Sequence, residues 1–298
     1  LALPRAPGSD QRPPEPFPCD RRPRLHRDGP LPPGPGLLVA ALLEKRPPEP
    51  APGVGVGGVQ LEGAAEVSLR LPVSPARVGD PTEAAILAGV LADGRTTIRN
   101  AADEPEVRAL VMMLQDMGAI IQVNAGRSIE IIGVEKLHGT TVRVMPDRIE
   151  AASYACMALG TRGEIFVRGA QHEQLITFLN MVRKIGGQYQ VREDGILFTG
   201  ASSYKGIELE TDTHPGFMTD WQQPFVVVLT QAEGTSVVHE TVYEERFGYT
   251  ESLNKMGAHI TLFSNCLGEI ECRFKGQNYR HSAVINGLTP LHATDVEV

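Results

Sequence analysis

The fold is decided by a stretch that runs from Arg162 to Val191 and reads RGEIFVRGAQHEQLITFLNMVRKIGGQYQV. Its apolar residues have the spacing of a strand over 162–167 and of a helix over 174–185. Gly186 follows this helix, as glycine commonly does where a helix ends, and a second strand is predicted over 186–191. The stretch therefore predicts a strand, a helix and a returning strand.

The same order of elements occurs twice more in the chain. On the amino-terminal side we predict a helix over 82–91, a strand over 96–98, a helix over 105–117, and strands over 119–123 and 128–132. On the carboxyl-terminal side we predict a strand over 233–238, a helix over 249–256 and a strand over 257–262.

Glycines mark the three copies at matching places. They precede the strand at intervals of 69 and 71 residues and follow the helix at intervals of 68 and 71 residues. The two sets are Gly94, Gly163 and Gly234, and Gly118, Gly186 and Gly257. Two independent markers with one period indicate a repeat of about 70 residues with the order βαβαββ. We expect an α/β (α+β) fold made of several pseudo-symmetric copies.

The first eighty residues have a different composition. Eighteen of the 23 prolines lie at or before Pro81. Because proline fixes φ and removes a backbone donor, long helices and central strands are disfavoured there. Two short apolar runs, 36–43 and 54–61, fit either one helical turn or an edge strand. We predict that residues 1–80 form a poorly ordered region.

The overall charge and hydropathy exclude two classes of function. A net charge of -8 and a pI near 5.5 argue against a general nucleic-acid-binding protein, which needs a basic surface. The chain contains no run of 18 apolar residues, so no membrane helix is predicted, and the first residues lack the pattern of a signal peptide. We therefore expect a cytoplasmic protein.

The four cysteines are Cys19, Cys156, Cys266 and Cys272. Their spacings match neither a zinc site nor a small disulfide framework, so we interpret them as reduced thiols. Pairing of the last two in an oxidising compartment is the alternative.

Several short motifs carry a resemblance to a known family. They are HPGFMTD at 214–220, ETVYEERF at 240–247, MGAH at 256–259, PDRIE at 146–150 and EPE at 104–106. Together with the repeat period, they resemble the UDP-N-acetylglucosamine enolpyruvyl transferases, in the right order from about residue 78 to residue 295.

The resemblance implies an inside-out α/β barrel of two globes, each built from three repeats, with the active site in the cleft between them. Residues 81–145 then correspond to the last repeat of one globe. Residues 146–298 correspond to two repeats of the other globe. Neither globe is expected to be complete.

The implied reaction transfers the enolpyruvyl group of phosphoenolpyruvate to the 3'-hydroxyl of UDP-N-acetylglucosamine, the first committed step of peptidoglycan synthesis. The family needs no metal and no organic cofactor. Addition and elimination through a tetrahedral ketal require a proton donor and a base, and one carboxylate in a closing cleft can serve as both. By motif position Asp220 is that catalytic residue. As an isolated aspartate it would be interpreted as a helix N-cap.

Four further residues match positions at the substrates. Val242 corresponds to a backbone contact with the nucleotide sugar, and Arg246 to a cleft arginine near the anionic ligand. Taken alone, these would be a core strand valine and a surface ion pair. Arg148 and Glu104 also match positions near the cleft. Their alternatives are a salt-bridged hinge, which we favour for Arg148, and an acidic first helical turn.

Other positions depart from the family. Val78 and Gly79 match a nucleotide-contacting segment, but Arg77 replaces its serine. The segment 19–26 has the cysteine of the family's nucleophile loop without its glycines, and Arg24 stands where an aspartate recognises uracil. Glu297 replaces a phosphate-binding arginine. Since losing one such electrostatic contact costs about two to three orders of magnitude in rate, we predict little or no turnover by this chain.

Several alternatives follow from these departures. One is a catalytically dead paralogue that binds a nucleotide sugar or regulates the pathway. Another is a non-functional fragment, in which residues 1–80 are a frame-shifted reading. The enzymatic alternative is the sister transferase that acts on shikimate 3-phosphate, which the motifs at 214–220 and 244–247 disfavour.

Overall fold

The structure is a computed structural model that describes residues 59–61, 66–70, 81–270 and 272–296, with the backbone alone for the first two segments. The described helices are α1 (Pro81–Gly89), α2 (Pro105–Asp116), α3 (Arg148–Gly160), α4 (Ile176–Ile185), α5 (Thr219–Leu229) and α6 (Thr250–Lys255). No helix among these residues is long and apolar enough to cross a membrane.

The first sheet has the strand order β1-β2-β3-β5-β4. Its strands are β1 (Val59–Leu61), β2 (Glu66–Arg70), β3 (Arg95–Arg99), β4 (Ile120–Asn124) and β5 (Ser128–Ile132). β2 pairs parallel with β3, and the other pairs are antiparallel. β1 is an edge strand within the apolar run 54–61, and both β1 and β2 precede the predicted start of the folded region at residue 81. The order of the rest of 1–80 lies outside the described residues.

Helix α2 shows why the sequence pattern was readable. Pro105 occupies the first turn, where a missing N–H costs nothing, and Val107, Val111 and Leu114 form the buried stripe. Gly118 follows with φ +97°, in the left-handed region that glycine enters without strain. These residues pack with α1, β3 and β5 in a first hydrophobic core between 85 and 131.

The remaining strands form two sheets. One has the order β6-β8-β7, from β6 (Glu164–Arg168), β7 (Gln188–Arg192) and β8 (Gly195–Thr199). The other has the order β10-β11-β13-β12, and β9 also pairs with β11. Its strands are β9 (Tyr204–Lys205), β10 (Glu208–Glu210), β11 (Ala232–His239), β12 (Ile260–Phe263) and β13 (Ser282–Gly287). Both sheets share a second core between 151 and 285, in which α3 packs against α5.

Among the described residues, the predicted order βαβαββ is complete in the two outer copies and lacks only its first strand in the middle copy. In each copy, the last strand pairs antiparallel with two earlier strands. β5 pairs with β3 and β4, β8 with β6 and β7, and β13 with β11 and β12. β2 and β10 add the parallel first strand in the outer copies, and no such strand is described before α3 in the middle copy. Helix α6 is shorter than the predicted 249–256. The described residues 81–145 and 146–296 hold separate cores, whereas the proposed division into globes remains a prediction.

Candidate active site

The carboxylate of Glu240 follows the last residue of β11 and is completely buried. It accepts five hydrogen bonds with lengths of 2.9 to 3.0 Å, which replace the hydration that burial removes. The donors are the hydroxyls of Thr211 and Thr219, the amide of Gln222, and the backbone N–H groups of Val242 and Tyr243. Glu240 therefore fastens the start of α5 and the loop after β11 to one point.

Asp220 lies in the first turn of α5 and forms an ion pair with Arg246 from that loop. The N-cap residue of α5 is Met218, so the alternative interpretation of Asp220 as an N-cap is wrong. The Thr219 hydroxyl at the helix start is bound to Glu240, which leaves Asp220 inside the first turn. The Asp220 side chain is 37% exposed, so a ligand can reach its carboxylate.

Arg246 is held from three sides. Besides the Asp220 carboxylate, its guanidinium faces the Tyr243 ring at 4.9 Å from the ring centre. The amide oxygen of Gln223, oriented so that both ends of the amide are satisfied, accepts from Arg246 Nε at 2.7 Å. With only 21% of its side chain exposed, Arg246 is not the loose surface pair of the alternative interpretation. A planar cation fixed in this way is suited to binding an anionic group.

Val242 lies in the loop after β11, so the alternative of a core strand valine is wrong. Its backbone N–H donates to Glu240, and its carbonyl accepts from the Arg273 guanidinium. Arg273 also forms an ion pair of 3.1 Å with Glu244. The backbone at the expected nucleotide-sugar contact is thereby fixed at both its polar groups.

Arg148 joins the two cores. It is the first residue of α3, its side chain is 1% exposed, and its guanidinium binds both carboxylate oxygens of Glu106 on α2 at 2.8 and 2.9 Å. The Trp221 ring lies 5.7 Å from the guanidinium carbon. Asp147 caps α3 by accepting from the N–H groups of Ile149 and Glu150. The geometry is that of the salt-bridged connection we favoured for this segment.

A cluster of charged groups surrounds His214, which precedes the motif residue Pro215. Burial lowers the pKa of His214, and the nearby Arg148 guanidinium lowers it further, while Glu104 and Asp103 act in the opposite direction. Glu104 is the N-cap residue of α2 and makes no capping hydrogen bond. Its Oε2 atom is buried and has no hydrogen-bond partner within 81–270 or 272–296. The two cores thus meet at polar side chains.

The structure brings Asp220, Arg246 and Val242 together around Glu240, and places Arg148 at the contact between the cores. Val78 and Gly79 lie outside the described residues, as does Cys19. Sequence reasoning missed Glu240, although a carboxylate two residues after the apolar pair Val237 and Val238 was the available signal.

The class of fold follows from comparison with a solved structure. The described fold is shared with the enolpyruvyl transferase NikO from Streptomyces tendae, with a TM-score of 0.60 over 70% of this chain and 46% of that chain, at 22% sequence identity. This likeness confirms the predicted fold class.

The chain belongs to the EPSP synthase (3-phosphoshikimate 1-carboxyvinyltransferase) family, whose model matches residues 56–285. Two curated relatives narrow the resemblance, and both are named UDP-N-acetylglucosamine 1-carboxyvinyltransferase. The protein of Protochlamydia amoebophila is 54% identical over 218 residues, covering 73% of this chain and 47% of its own length. That of Chlamydia trachomatis serovar D is 50% identical over 218 residues, covering 73% and 49%. The predicted resemblance is confirmed, and these names favour the nucleotide-sugar branch over the shikimate branch.

The chain spans about half the length of the curated relatives that it matches.

Proposed function

We propose that this chain provides the nucleotide-sugar side of the active site of a UDP-N-acetylglucosamine enolpyruvyl transferase in the cytoplasm. The observation that carries the proposal is the contact between Asp220 and Arg246, which joins the start of α5 to the loop fixed by Glu240. The names of the relatives that align over 73% of the chain support it.

Asp220 is the proposed base. Arg246 binds its Oδ1 atom, and within 81–270 and 272–296 its Oδ2 atom has no hydrogen-bond partner and can accept a proton. As the 3'-oxygen of the sugar bonds to carbon 2 of phosphoenolpyruvate, the hydroxyl proton passes to Asp220, which gives a proton to the methylene carbon. Elimination then breaks the bond from carbon 2 to phosphate, and Asp220 takes a proton from the same methyl group and passes it to the departing phosphate.

Arg246 is proposed to bind an anionic group of the substrates. Because Arg246 already pairs with Asp220, it keeps this carboxylate next to the anionic substrate group that Arg246 would bind. A fixed donor of this kind stabilises charge without reorganisation during the reaction. Val242 is proposed to contact the nucleotide sugar and Glu104 to line the cleft, while Arg148, which is buried in its ion pair with Glu106, is proposed to hold the connection beside the cleft. Val78 and Gly79 remain proposed contacts from the sequence alone.

Turnover by this chain alone is expected to be low. The segment 19–26 lacks the glycines of the nucleophile loop, and Glu297 reverses the charge of an expected phosphate contact. The proposed function is therefore binding of UDP-N-acetylglucosamine, with phosphoenolpyruvate as the second ligand and severely impaired phosphate release.

The experiment is isothermal titration of the purified chain with UDP-N-acetylglucosamine, with and without phosphoenolpyruvate, beside a phosphate-release assay. Asp220→Asn is the test variant, and Asp116→Asn, at the exposed end of α2, is the matched control. We expect saturable binding by the wild-type chain and the control. The D220N variant should lose any residual phosphate release.

Absence of binding by the wild-type chain would show that the proposed site is not formed. Phosphate release that persists unchanged in D220N would remove Asp220 from the role of base. Binding accompanied by rapid phosphate release would contradict the expected impairment and leave the proposed site in place.

A further inference from the structure

Four side chains of metal-ligand type meet beside β11, and the proposed reaction uses none of them. They are His239, Cys266, Cys272 and His281, and one potential ligand atom from each lies within 4.8 Å of all the others. His239, Cys272 and His281 are buried, and Cys266 is partly buried. Cys266 Sγ lies 3.0 Å from Cys272 Sγ and 3.4 Å from His281 Nε2. Two thiols and two imidazoles are the donor set of many structural zinc sites.

Each imidazole is oriented by a contact at its Nδ1 atom. His239 Nδ1 lies 3.2 Å from Glu210 Oε2, and His281 Nδ1 lies 2.8 Å from the carbonyl oxygen of Tyr279. A histidine whose Nδ1–H donates to a carboxylate or carbonyl keeps a lone pair on Nε2, which is the usual arrangement behind a zinc ligand. The two Nε2 atoms are thus the ones left to face a metal.

The Nε2 atom of His239 indicates a bound ligand independently of the clustering of the four side chains. The side chain is completely buried, and this nitrogen has no hydrogen-bond partner in 81–270 or 272–296. An unsatisfied buried polar atom costs about 1 to 3 kcal/mol, so it needs a reason to be there. A metal ion bound at this nitrogen supplies one.

The carboxylate that orients His239 is itself held by hydrogen bonds. Glu210, at the end of β10, accepts from the backbone N–H groups of Glu269 and Ile270 at 2.8 Å each. Gly268 packs so tightly on Glu210 and His239 that a Cβ atom there would overlap both. These specific contacts, in a segment without regular secondary structure, indicate a preformed ligand site.

We propose that His239, Cys266, Cys272 and His281 form a closed, structural zinc site. On binding, Zn²⁺ displaces the two thiol protons to solvent and takes one bond from each sulfur and from each Nε2. With Zn–S bonds of about 2.3 Å, the sulfurs of a tetrahedral site lie roughly 3.8 Å apart, so the two cysteines need to separate by less than about 1 Å. Two thiolates and two imidazoles select zinc over magnesium or calcium, which prefer oxygen ligands.

The zinc would fasten the segment between β12 and β13 to the end of β11. Cys272 is followed by Arg273, whose guanidinium binds the carbonyl of Val242. His239 is followed by Glu240, which binds the N–H of the same residue. Both polar groups of the backbone at Val242 are therefore held by neighbours of a proposed zinc ligand. The predicted absence of a metal rested on cysteine spacing and on the family resemblance. Spacing cannot show that histidines from elsewhere complete the set.

The test is the metal content of the full chain, purified under reducing conditions and supplemented with Zn²⁺, by plasma mass spectrometry. We expect about one zinc per chain. Cys266→Ser and Cys272→Ser should each lower the content at least about tenfold, and Glu210→Gln should weaken zinc affinity by about 10- to 100-fold. Cys156→Ala, which removes a buried thiol of α3, is the matched control and should keep its zinc.

A second measurement needs no variant. Co²⁺ added to the zinc-free wild-type chain should give the strong visible bands and the thiolate charge-transfer band of tetrahedral cobalt with two sulfur ligands. A wild-type chain that binds neither Zn²⁺ nor Co²⁺ under reducing conditions would overturn the proposal. So would a Cys266–Cys272 disulfide found by mass spectrometry in protein from reducing cells. Neither readout depends on nucleotide-sugar binding or turnover.

Discussion

At the scale of single residues, the ion pairs of this molecule differ in what their loss would expose. Arg148 is 1% exposed and its partner Glu106 is 40% exposed, whereas Arg95 and Glu130 are 49% and 34% exposed. A pair in solvent is worth about 0 to 1 kcal/mol. Removing the partner of a buried charge costs about 3 to 5 kcal/mol, because the charge remains without compensation.

We therefore expect Glu106→Ala to lower the free energy of unfolding by about 3 kcal/mol, since it strands the buried Arg148 guanidinium. The matched control, Glu130→Ala, should cost less than about 1 kcal/mol. Urea denaturation followed by circular dichroism measures both. Equal losses in the two variants would show that Arg148 is compensated by other groups.

His214 makes stability depend on pH in a defined direction. Burial, then Arg148, lower its pKa from the ordinary value of 6.5, and Arg108 adds to this, while Glu104 and Asp103 oppose it. The folded state therefore favours the neutral imidazole, whereas the unfolded chain takes up a proton near pH 6.5. Its contribution is complete above that pH and is lost as the pH falls below it.

His214→Gln should accordingly reduce the loss of unfolding free energy between pH 7.5 and pH 5.5, values that bracket the ordinary pKa of about 6.5. His138→Gln, at an exposed position, should keep the wild-type loss. Urea titrations at the two pH values provide the comparison. If H214Q and wild type lose the same amount, other groups dominate this pH range.

At this scale the sequence named three residues that the structure brings together, and their roles remain predictions. Asp220 lies in the motif 214–220, and Val242 and Arg246 lie in the motif 240–247, each with a specific residue order. Glu240 and the zinc-type cluster were not predicted. Their contacts join 211, 219 and 222 to 240, or 239 to 266, 272 and 281, and such pairings arise from sheet topology rather than from local spacing.

At the scale of helices and strands, the glycines after the helices explain why the repeat could be found. Gly118, Gly186 and Gly257 have φ values of +97°, +96° and +101°. Other residues pay for this conformation, so the position retains glycine and the period shows in the sequence. The glycines do not mark the first strand of the repeat. They therefore could not show that the middle copy lacks this strand among the described residues.

Gly186→Ala is expected to lower the free energy of unfolding by about 1 to 2 kcal/mol, from the left-handed backbone alone. A Cβ there would meet only the Ser203 carbonyl at 3.8 Å, an ordinary contact. Gly160→Ala at the end of α3, which has open space and no positive φ, should leave stability unchanged or raise it by up to about 1 kcal/mol. Thermal and urea unfolding distinguish the two; a G186A variant as stable as wild type would refute the assigned role.

At the scale of the whole molecule, the two hydrophobic cores differ in size. The core between 85 and 131 contains twelve buried apolar residues in the described part of the chain, and the core between 151 and 285 contains thirty. The larger core also includes the aromatic group of Phe178, Phe217, Trp221 and Phe225, whose rings lie 5.5 to 6.2 Å apart. Because apolar burial is the dominant stabilising term, the two cores should differ in their resistance to opening.

Native-state hydrogen exchange should therefore show two levels of protection. Amides of α5 and β11 in the larger core should exchange only when the molecule unfolds globally, and those of α1 and α2 should exchange through an opening of lower free energy. Glu106→Ala, which breaks the ion pair between the cores, should widen this gap by lowering the protection of α2 more than that of α5. Mass spectrometry of peptic peptides resolves the four elements. Equal protection throughout, changed equally by the substitution, would show instead that both cores unfold as a single cooperative unit.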